Sequence, residues 1–264
     1  MIIKKAWRIL TVGDGDLSFS HSLWKYHQPA QLTATVYDSK ITMLNKYNEN
    51  SYQALSSNAI PVHFSVDITD EKSWKNINKH SFDLVIFQFP LLPAFRSFEE
   101  YNNQGKQQNI NTLNRTLLRT FLTNAFQYFL DPNGEQLCFI TSKDVKPYRE
   151  WNIENALHQQ TNFHYLGSSL FDINHFPEYK VRNVDRDKHV KDTKGRTYVW
   201  SLQENHDLKA ALTPAIYQSK NCCTACRAGP FVTEQDREEH NASRKHQQMM
   251  QFETLWKAYI EETN

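Results

Sequence analysis

The sequence predicts an α/β fold: a mainly parallel sheet flanked by helices, with a small metal-binding module at the C-terminal end. Three observations predict it. Short apolar runs alternate with helix-periodic segments between residues 8 and 202. The first run ends directly in a glycine turn, Gly13-Asp14-Gly15-Asp16. Cysteines and histidines with ligand spacing gather in residues 220–264. Strands that alternate with helices imply crossover connections, and these lay the strands parallel.

Taken in order, Arg8 to Val12 is a buried strand running into the glycine turn. Leu17, Phe19, Leu23 and Trp24 then fall near helical spacing over residues 17–27. Residues 32–37 form a second strand closed by Asp38, and residues 40–56 are helical in pattern. Residues 62–66 form a third strand ending at Asp67. Residues 82–89 carry the strongest strand signal, and Pro90 ends it. Residues 91–110, rich in Asn and Gln, read as a long loop on the carboxyl edge of the sheet, where loops usually carry function. An amphipathic helix follows over 112–130, with Leu113, Leu117, Leu118, Phe121 and Phe129. Asp131-Pro132-Asn133-Gly134 is a turn, and Gln136 to Thr141 a fifth strand. A helix around 150–160, a strand around 163–170 and a last strand from Thr197 to Leu202 complete the domain. The predicted organisation is a sheet domain over 1–204, a linker over 205–219 and a module over 220–264 that ends in a helix from Gln247 to Glu262.

Composition narrows the function classes. Hydrophobic residues make up 39% and aromatics 13%, enough for a core, while the mean hydropathy is −0.68. No apolar run approaches the ~20 residues of a spanning helix, and no membrane partner is expected. Met1 to Trp7 has no secretory apolar segment, which points to the cytoplasm, or to the nucleus in a eukaryote. A net charge of +1 neither demands nor excludes a nucleic-acid partner. A monomer is the favoured state.

The glycine turn is the predicted cofactor site. Ligands of open α/β sheets bind beyond the carboxyl ends of the strands, where the strand order switches, and glycine lets backbone approach a ligand closely. Gly13-Asp14-Gly15-Asp16 lacks the third glycine of a dinucleotide site and carries two carboxylates where a pyrophosphate would sit. Carboxylates repel a diphosphate and attract a cation. S-adenosylmethionine (SAM), with its sulfonium and ammonium groups, fits that field better than a nicotinamide cofactor. Asp38 falls where an acidic residue accepts from ribose hydroxyls, and Asp67, ending the third strand, is placed to accept from an adenine amino group.

Gly13-Asp14-Gly15-Asp16-Leu17-Ser18-Phe19-Ser20 closely resembles the signature of the Rossmann-like ribosomal RNA uridine-N(3) methyltransferase family of eukaryotes. Phe82 to Pro90 resembles the family's fourth-strand motif, Asn114 to Leu118 with Phe121 the helix after its substrate loop, and Phe176-Pro177-Glu178-Tyr179 a late motif. The resemblance implies a class I methyltransferase sheet with an antiparallel last strand, SAM as donor and a uridine of ribosomal RNA as acceptor. It implies cofactor contacts from Gly13, Asp14, Gly15, Ser18, Phe19 and Ser20, with Ser39 and Ile68 beside Asp38 and Asp67. The chain departs from the family at two transfer-site positions: Gln88 stands where Asn is usual before Phe-Pro, and Leu91 where His is usual after it.

Methyl transfer is an in-line displacement in which the protein mainly supplies alignment. Gln88 and the backbone near Phe89-Pro90 are expected to face the acceptor base, and a neutral amide orients a ring rather than deprotonating it. Asp14 and Asp16 are the two candidate bases, which the sequence does not separate; Asp16 is grouped with Gln88 and Pro90 as catalytic, and Asp14 with the cofactor contacts. Phe87 and Phe89 could stack on a base, with core packing the expected role of Phe87. Lys143, Lys146 and Arg149 follow the fifth strand and could touch phosphate.

In the last module, Cys223 and Cys226 are followed by His240 and His246, a Cys2His2 zinc pattern. Six residues on one helix rotate the second imidazole by about 240°, so both rings reach one ion only if the helix breaks between them. Asn241-Ala242-Ser243 is the expected weak point. The spacing resembles the matrin-type fingers of RNA-binding proteins. Cys222 with Cys226 is an alternative thiolate pair. The finger's partner is RNA or protein; Arg227, Arg237, Arg244 and Lys245 are offset by Glu234, Asp236, Glu238 and Glu239. The leading expectation is an RNA methyltransferase. The alternatives are a non-catalytic RNA-binding protein of the same fold, and a methyltransferase acting on a small molecule or protein.

Overall fold

The computed structural model describes residues 1–92, 108–183, 186–189, 194–212 and 214–263. Most of the loop expected over 91–110 lies outside the described residues. The strands are β1 (Arg8–Val12), β2 (Gln31–Thr35), β3 (Val62–His63), β4 (Leu84–Gln88), β5 (Leu137–Lys143), β6 (His164–Phe171), β7 (Arg182–Asn183), β8 (Arg186–His189) and β9 (Gly195–Ser201). Seven form one sheet in the order β3-β2-β1-β4-β5-β9-β6, while β7 and β8 make a separate hairpin. β1 to β5 pair in parallel, and β9 runs antiparallel to both β5 and β6. This is the Rossmann-like sheet expected, with its last strand reversed.

The sheet is buried on both faces, which explains its unbroken apolar strands. On one face Leu10, Val85, Phe87, Cys138 and Ile140 pack under α4 (Ile110–Asn124) through Leu118, Phe121 and Leu122. On the other, Ile9, Leu84, Ile86 and Phe139 pack against Phe19 of α1 (Ser18–Ser22) and Leu23 beyond it. Asn109 starts α4 by accepting from the Thr112 N–H. At the amino edge, Arg8 ties the sheet together, donating to Asp83 at 2.8 Å and Asp131 at 2.9 Å. A Cβ on Gly134 would collide with the Asp83 carboxylate, so the predicted turn needs its glycine.

Four expectations need correction. The helix over 40–56 is two helices, α2 (Lys40–Lys46) and α3 (Tyr52–Ser57). Asn50 breaks it by donating to the Tyr47 carbonyl and accepting from the Tyr52 N–H, a competition with helix that Asn favours. The third strand stops at His63, because Ser65 takes a left-handed φ of 58°. The segment 205–219 is not a free linker: Leu208, Leu212 and Ala215 are buried, and His206 bonds Glu135 at 3.0 Å. After a short α5 (Ile153–Ala156) and α6 (Glu234–Ala242), the tail helix begins earlier than Gln247 and is one unit, α7 (Arg244–Thr263).

Candidate functional site

The order of strands reverses around β1, and a cavity of about 1360 Å³ opens there, beyond the carboxyl ends of β1, β2 and β4. Gly13, Asp14, Gly15, Asp16, Asp38, Asp67, Ile68, Gln88 and Pro90 all line it, so most of the predicted site converges. Gly13 has φ +63°, and a Cβ there would sit 2.9 Å from the Phe87 ring. The glycine is fixed by both conformation and space.

Ser18, Phe19, Ser20 and Ser39 do not line the cavity, and each does local work instead. Ser20 donates its N–H and hydroxyl to Asp14 at 2.7 and 2.6 Å. Ser18 does the same for Asp16 at 3.0 and 2.6 Å. Phe19 packs on Phe176 and Tyr179 with ring centroids 5.1 and 5.2 Å away. Ser39 caps α2 by accepting from the Thr42 N–H. Ser18 and Ser20, after the glycines, therefore orient the two aspartates.

The two candidate bases differ. Asp16 is 2% exposed and accepts from Arg182 Nε at 2.5 Å. Asp14 lacks such a partner among the described residues; burial, then Asp16 beside it, pushes its carboxyl up to about 7. Sequence reasoning missed Arg182, which arrives from the far end of the domain and also donates to the Glu49 carbonyl. Its guanidinium lies 5.6 Å from the Tyr47 ring, and Lys180 beside it pairs with Glu49. No local pattern announces these contacts. The α4 face Leu113, Thr116, Leu117 and Thr120 also lines the cavity, and its i, i+3, i+4, i+7 spacing is a signal that could have found it.

The residues present suit SAM. Asp38 accepts from Lys46 at 2.9 Å and Asp67 from Thr69 at 2.6 Å, each through one oxygen. A carboxylate offers about four lone-pair sites, so both retain capacity for hydroxyl or amino donors. Tyr37 and Ile41, 54% and 74% exposed on the same rim, offer apolar cover for a flat ring. Two aspartates against one arginine leave the glycine end suited to a cation.

The BMT5-like family, described as rRNA (uridine-N3-)-methyltransferase BTM5-like, matches residues 10–183, more than half of the chain. The chain belongs to the BMT5-like family. It is similar to the heavy metal-associated isoprenylated plant protein 41 of Arabidopsis thaliana, 26% identical over 181 residues, which are 67% of this chain and 33% of that protein. The chain thus spans about a third of the length of the curated relative it matches. Similar solved structures include B. subtilis M1A22 tRNA methyltransferase TrmK, at 9% identity and TM-score 0.44 over 97% of this chain and 93% of that one. M. jannaschii TYW2 in complex with AdoMet matches at 12% identity and TM-score 0.39, over 76% and 71%.

In this BMT5-like chain, Phe89 ends β4 with φ 46°, a conformation bulky residues rarely take. Its N–H donates to the Thr141 carbonyl and its ring packs on Phe171, 5.4 Å away. Phe87 packs on Phe121 at 5.1 Å, in the core as expected. Both residues also line the cavity. Gln88 Nε2 lies 4.0 Å from Met1 Sδ, while its buried Oε1 has no partner among the described residues. Of the proposed phosphate contacts, Arg149 holds Asp144 and Lys146 holds Glu150.

The Cys/His cluster lies beyond the BMT5-like match. Cys223, Cys226, His240 and His246 bring their ligand atoms within 4.8 Å of one another. His246 Nδ1 is 3.6 Å from both sulfurs and 3.2 Å from His240 Nε2. A tetrahedral zinc at ordinary bond lengths needs S···N near 3.5 Å and N···N near 3.3 Å, about what is seen. Cys222 is outside this group; its Sγ lies 3.1 Å from the Ser219 hydroxyl. The break between the histidines falls at Ser243: α6 (Glu234–Ala242) ends, Ser243 is extended, and its hydroxyl accepts from the His246 N–H to start α7.

Proposed function

We propose that this chain is a SAM-dependent RNA methyltransferase acting on uridine N3 of ribosomal RNA, with a structural zinc in its C-terminal finger. The observation that carries the reading is the convergence of Gly13, Asp14, Asp38 and Asp67 on one cavity at the switch point, in a member of the BMT5-like family. Bound there, SAM would supply a methyl group on a sulfonium, already a good leaving group. The chain supplies placement: Asp38 and Tyr37 for the ribose and adenine side, Asp67 and Ile68 for the adenine edge, and the glycine turn for the amino-acid end.

The acceptor side is the end of β4. The Gln88 amide carries an unpartnered acceptor at the cavity's edge and orients the base, and Pro90 presents a carbonyl without a competing N–H. Of the two aspartates, Asp16 is held as the partner of Arg182. Asp14, with basicity near neutral pH, is the one suited to take the N3 proton. The finger's zinc would be closed by four protein ligands, so its role is to fold and hold rather than to react. The exposed face of α6 carries Glu234, Asp236, Glu238 and Glu239, which favours a protein or intramolecular role for that helix over phosphate contact.

The test is direct. Titration with SAM in a calorimeter should show binding, and digestion of ribosomal RNA after incubation should yield 3-methyluridine by mass spectrometry. A chain that does not bind SAM refutes the cofactor reading. Methylation at another atom or nucleoside refutes the uridine N3 assignment alone. Metal analysis should return one zinc per chain.

A further inference from the structure

We infer that the finger is a clamp on the wall of the cavity, and that the pair Arg115–Glu253 transmits zinc occupancy to the substrate site. The inference rests on the methyltransferase reading of the cavity and the zinc reading of the finger. It begins with a register on α7. His246, Met249, Glu253, Trp256 and Ile260 fall at i, i+3, i+7, i+10 and i+14, one stripe along a helix. Met249, Trp256 and Ile260 are buried, and Trp256 Nε1 donates to the Ala156 carbonyl at 2.9 Å. The first member of the stripe is a ligand of the proposed zinc, and Glu253, Trp256 and Ile260 grip the sheet domain. Glu253 lies about 10.5 Å along the rod from His246, on the same side.

The element they grip is α4. Arg115 is fully buried, and its Nη2 donates to Glu253 at 2.7 Å and to the Glu150 carbonyl at 2.9 Å. Its Nε and Nη1 have no partner among the described residues, so Glu253 is the carboxylate that neutralises this cation. One position on, Thr116 faces the cavity with Leu113, Leu117 and Thr120. The same helix therefore has one side in the substrate site and the neighbouring side in the grasp of the finger. With zinc bound, the start of α7 is fixed and Glu253 is delivered to Arg115. Without it, the rod loses its anchored end and the Arg115–Glu253 pair its support, and α4 is left with its bonds to Glu150, Leu157 and Gln159 and its packing on the sheet.

The experiment uses the full chain, with zinc and after removal by a strong chelator. It reads amide hydrogen exchange over residues 110–124 and affinity for S-adenosylhomocysteine by calorimetry. Zinc removal should speed exchange in α4 by about tenfold or more and weaken S-adenosylhomocysteine binding by about fivefold or more, the low end of ordinary coupling between sites. Glu253→Ala should show the loosened α4 with zinc still bound, and zinc removal should then change it no further. Glu253→Gln keeps an acceptor oxygen but not the charge that neutralises Arg115, so protection of α4 should fall between wild type and Glu253→Ala. Unchanged α4 exchange on zinc removal overturns the inference, as does an equal zinc effect in wild type and Glu253→Ala. If S-adenosylhomocysteine never binds, the cofactor reading fails, and the exchange measurement still decides the clamp. If no zinc is bound, the metal reading fails and Glu253→Ala against wild type decides the Arg115 link.

Discussion

At the residue scale, the cavity is governed by how two neighbouring carboxylates are treated. Asp14 and Asp16 look equivalent in sequence, yet Arg182 pairs with one and burial raises the other. The asymmetry has a pH signature. Asp14 binds its proton more tightly folded than unfolded, so its contribution to stability is full below about 4 and is lost as pH rises through about 7. Asp14→Asn should remove that loss. The stability of wild type relative to Asp14→Asn, measured by denaturant unfolding, should fall between these pH values; a flat difference would contradict the assignment. If Asp14 takes the proton, the same variant lowers turnover by about 10² or more. Arg182→Ala should leave two buried carboxylates facing each other without their cation, and weaken folding at neutral pH more than in acid.

At the element scale, the finger's two helices depend on one serine. Ser243 is extended and caps α7, and this bend cancels the rotation that six helical residues would impose on the histidines. Ser243→Ala removes the cap, worth about 1 kcal/mol, and favours a continuous helix. Zinc affinity measured by competition with a chromogenic chelator should drop about tenfold, the equivalent of roughly 1.4 kcal/mol. That break was legible beforehand because His240 and His246 pose a geometric problem that only a bend solves. The strands were legible for a different reason: Ile9, Leu10 and Val12, like Leu84 to Phe87, put apolar side chains on both sides, as a covered parallel sheet requires. The split of α2 from α3 was not, because Asn50 acts through side-chain bonds that pattern does not register. The stripe on α7 was hidden since Glu253 and His246, polar residues, hold two of its five positions.

At the scale of the whole molecule, finger and sheet domain form one body. Arg227 directly follows Cys226 of the Cys/His cluster, yet its side chain is 4% exposed and pairs with Glu154 at 3.0 Å and Asp144 at 2.6 Å. It also donates to the Tyr198 hydroxyl at 2.7 Å, and Tyr217, from the segment expected to be a linker, donates to Glu154. Arg227→Ala would strand Glu154 in the interior, and destabilisation by about 3–5 kcal/mol is expected in chemical denaturation. The zinc-loaded chain should melt in one calorimetric transition; two separated transitions would show that finger and sheet fold independently. Sequence placed a boundary near residue 205, and no sequence rule reveals that Tyr217 and Arg227, both beyond that boundary, bond Glu154 before it.

The stripe on α7 also makes chain length a working part. One residue inserted between His246 and Glu253 would turn Glu253 and Trp256 by about 100° about the axis. Each would miss its seat, although Cys223, Cys226, His240, His246 and every residue of the sheet domain were unchanged. The tail should accept exchanges on its outward side freely and additions or deletions in that interval almost never, as a key tolerates any colour but a single cut.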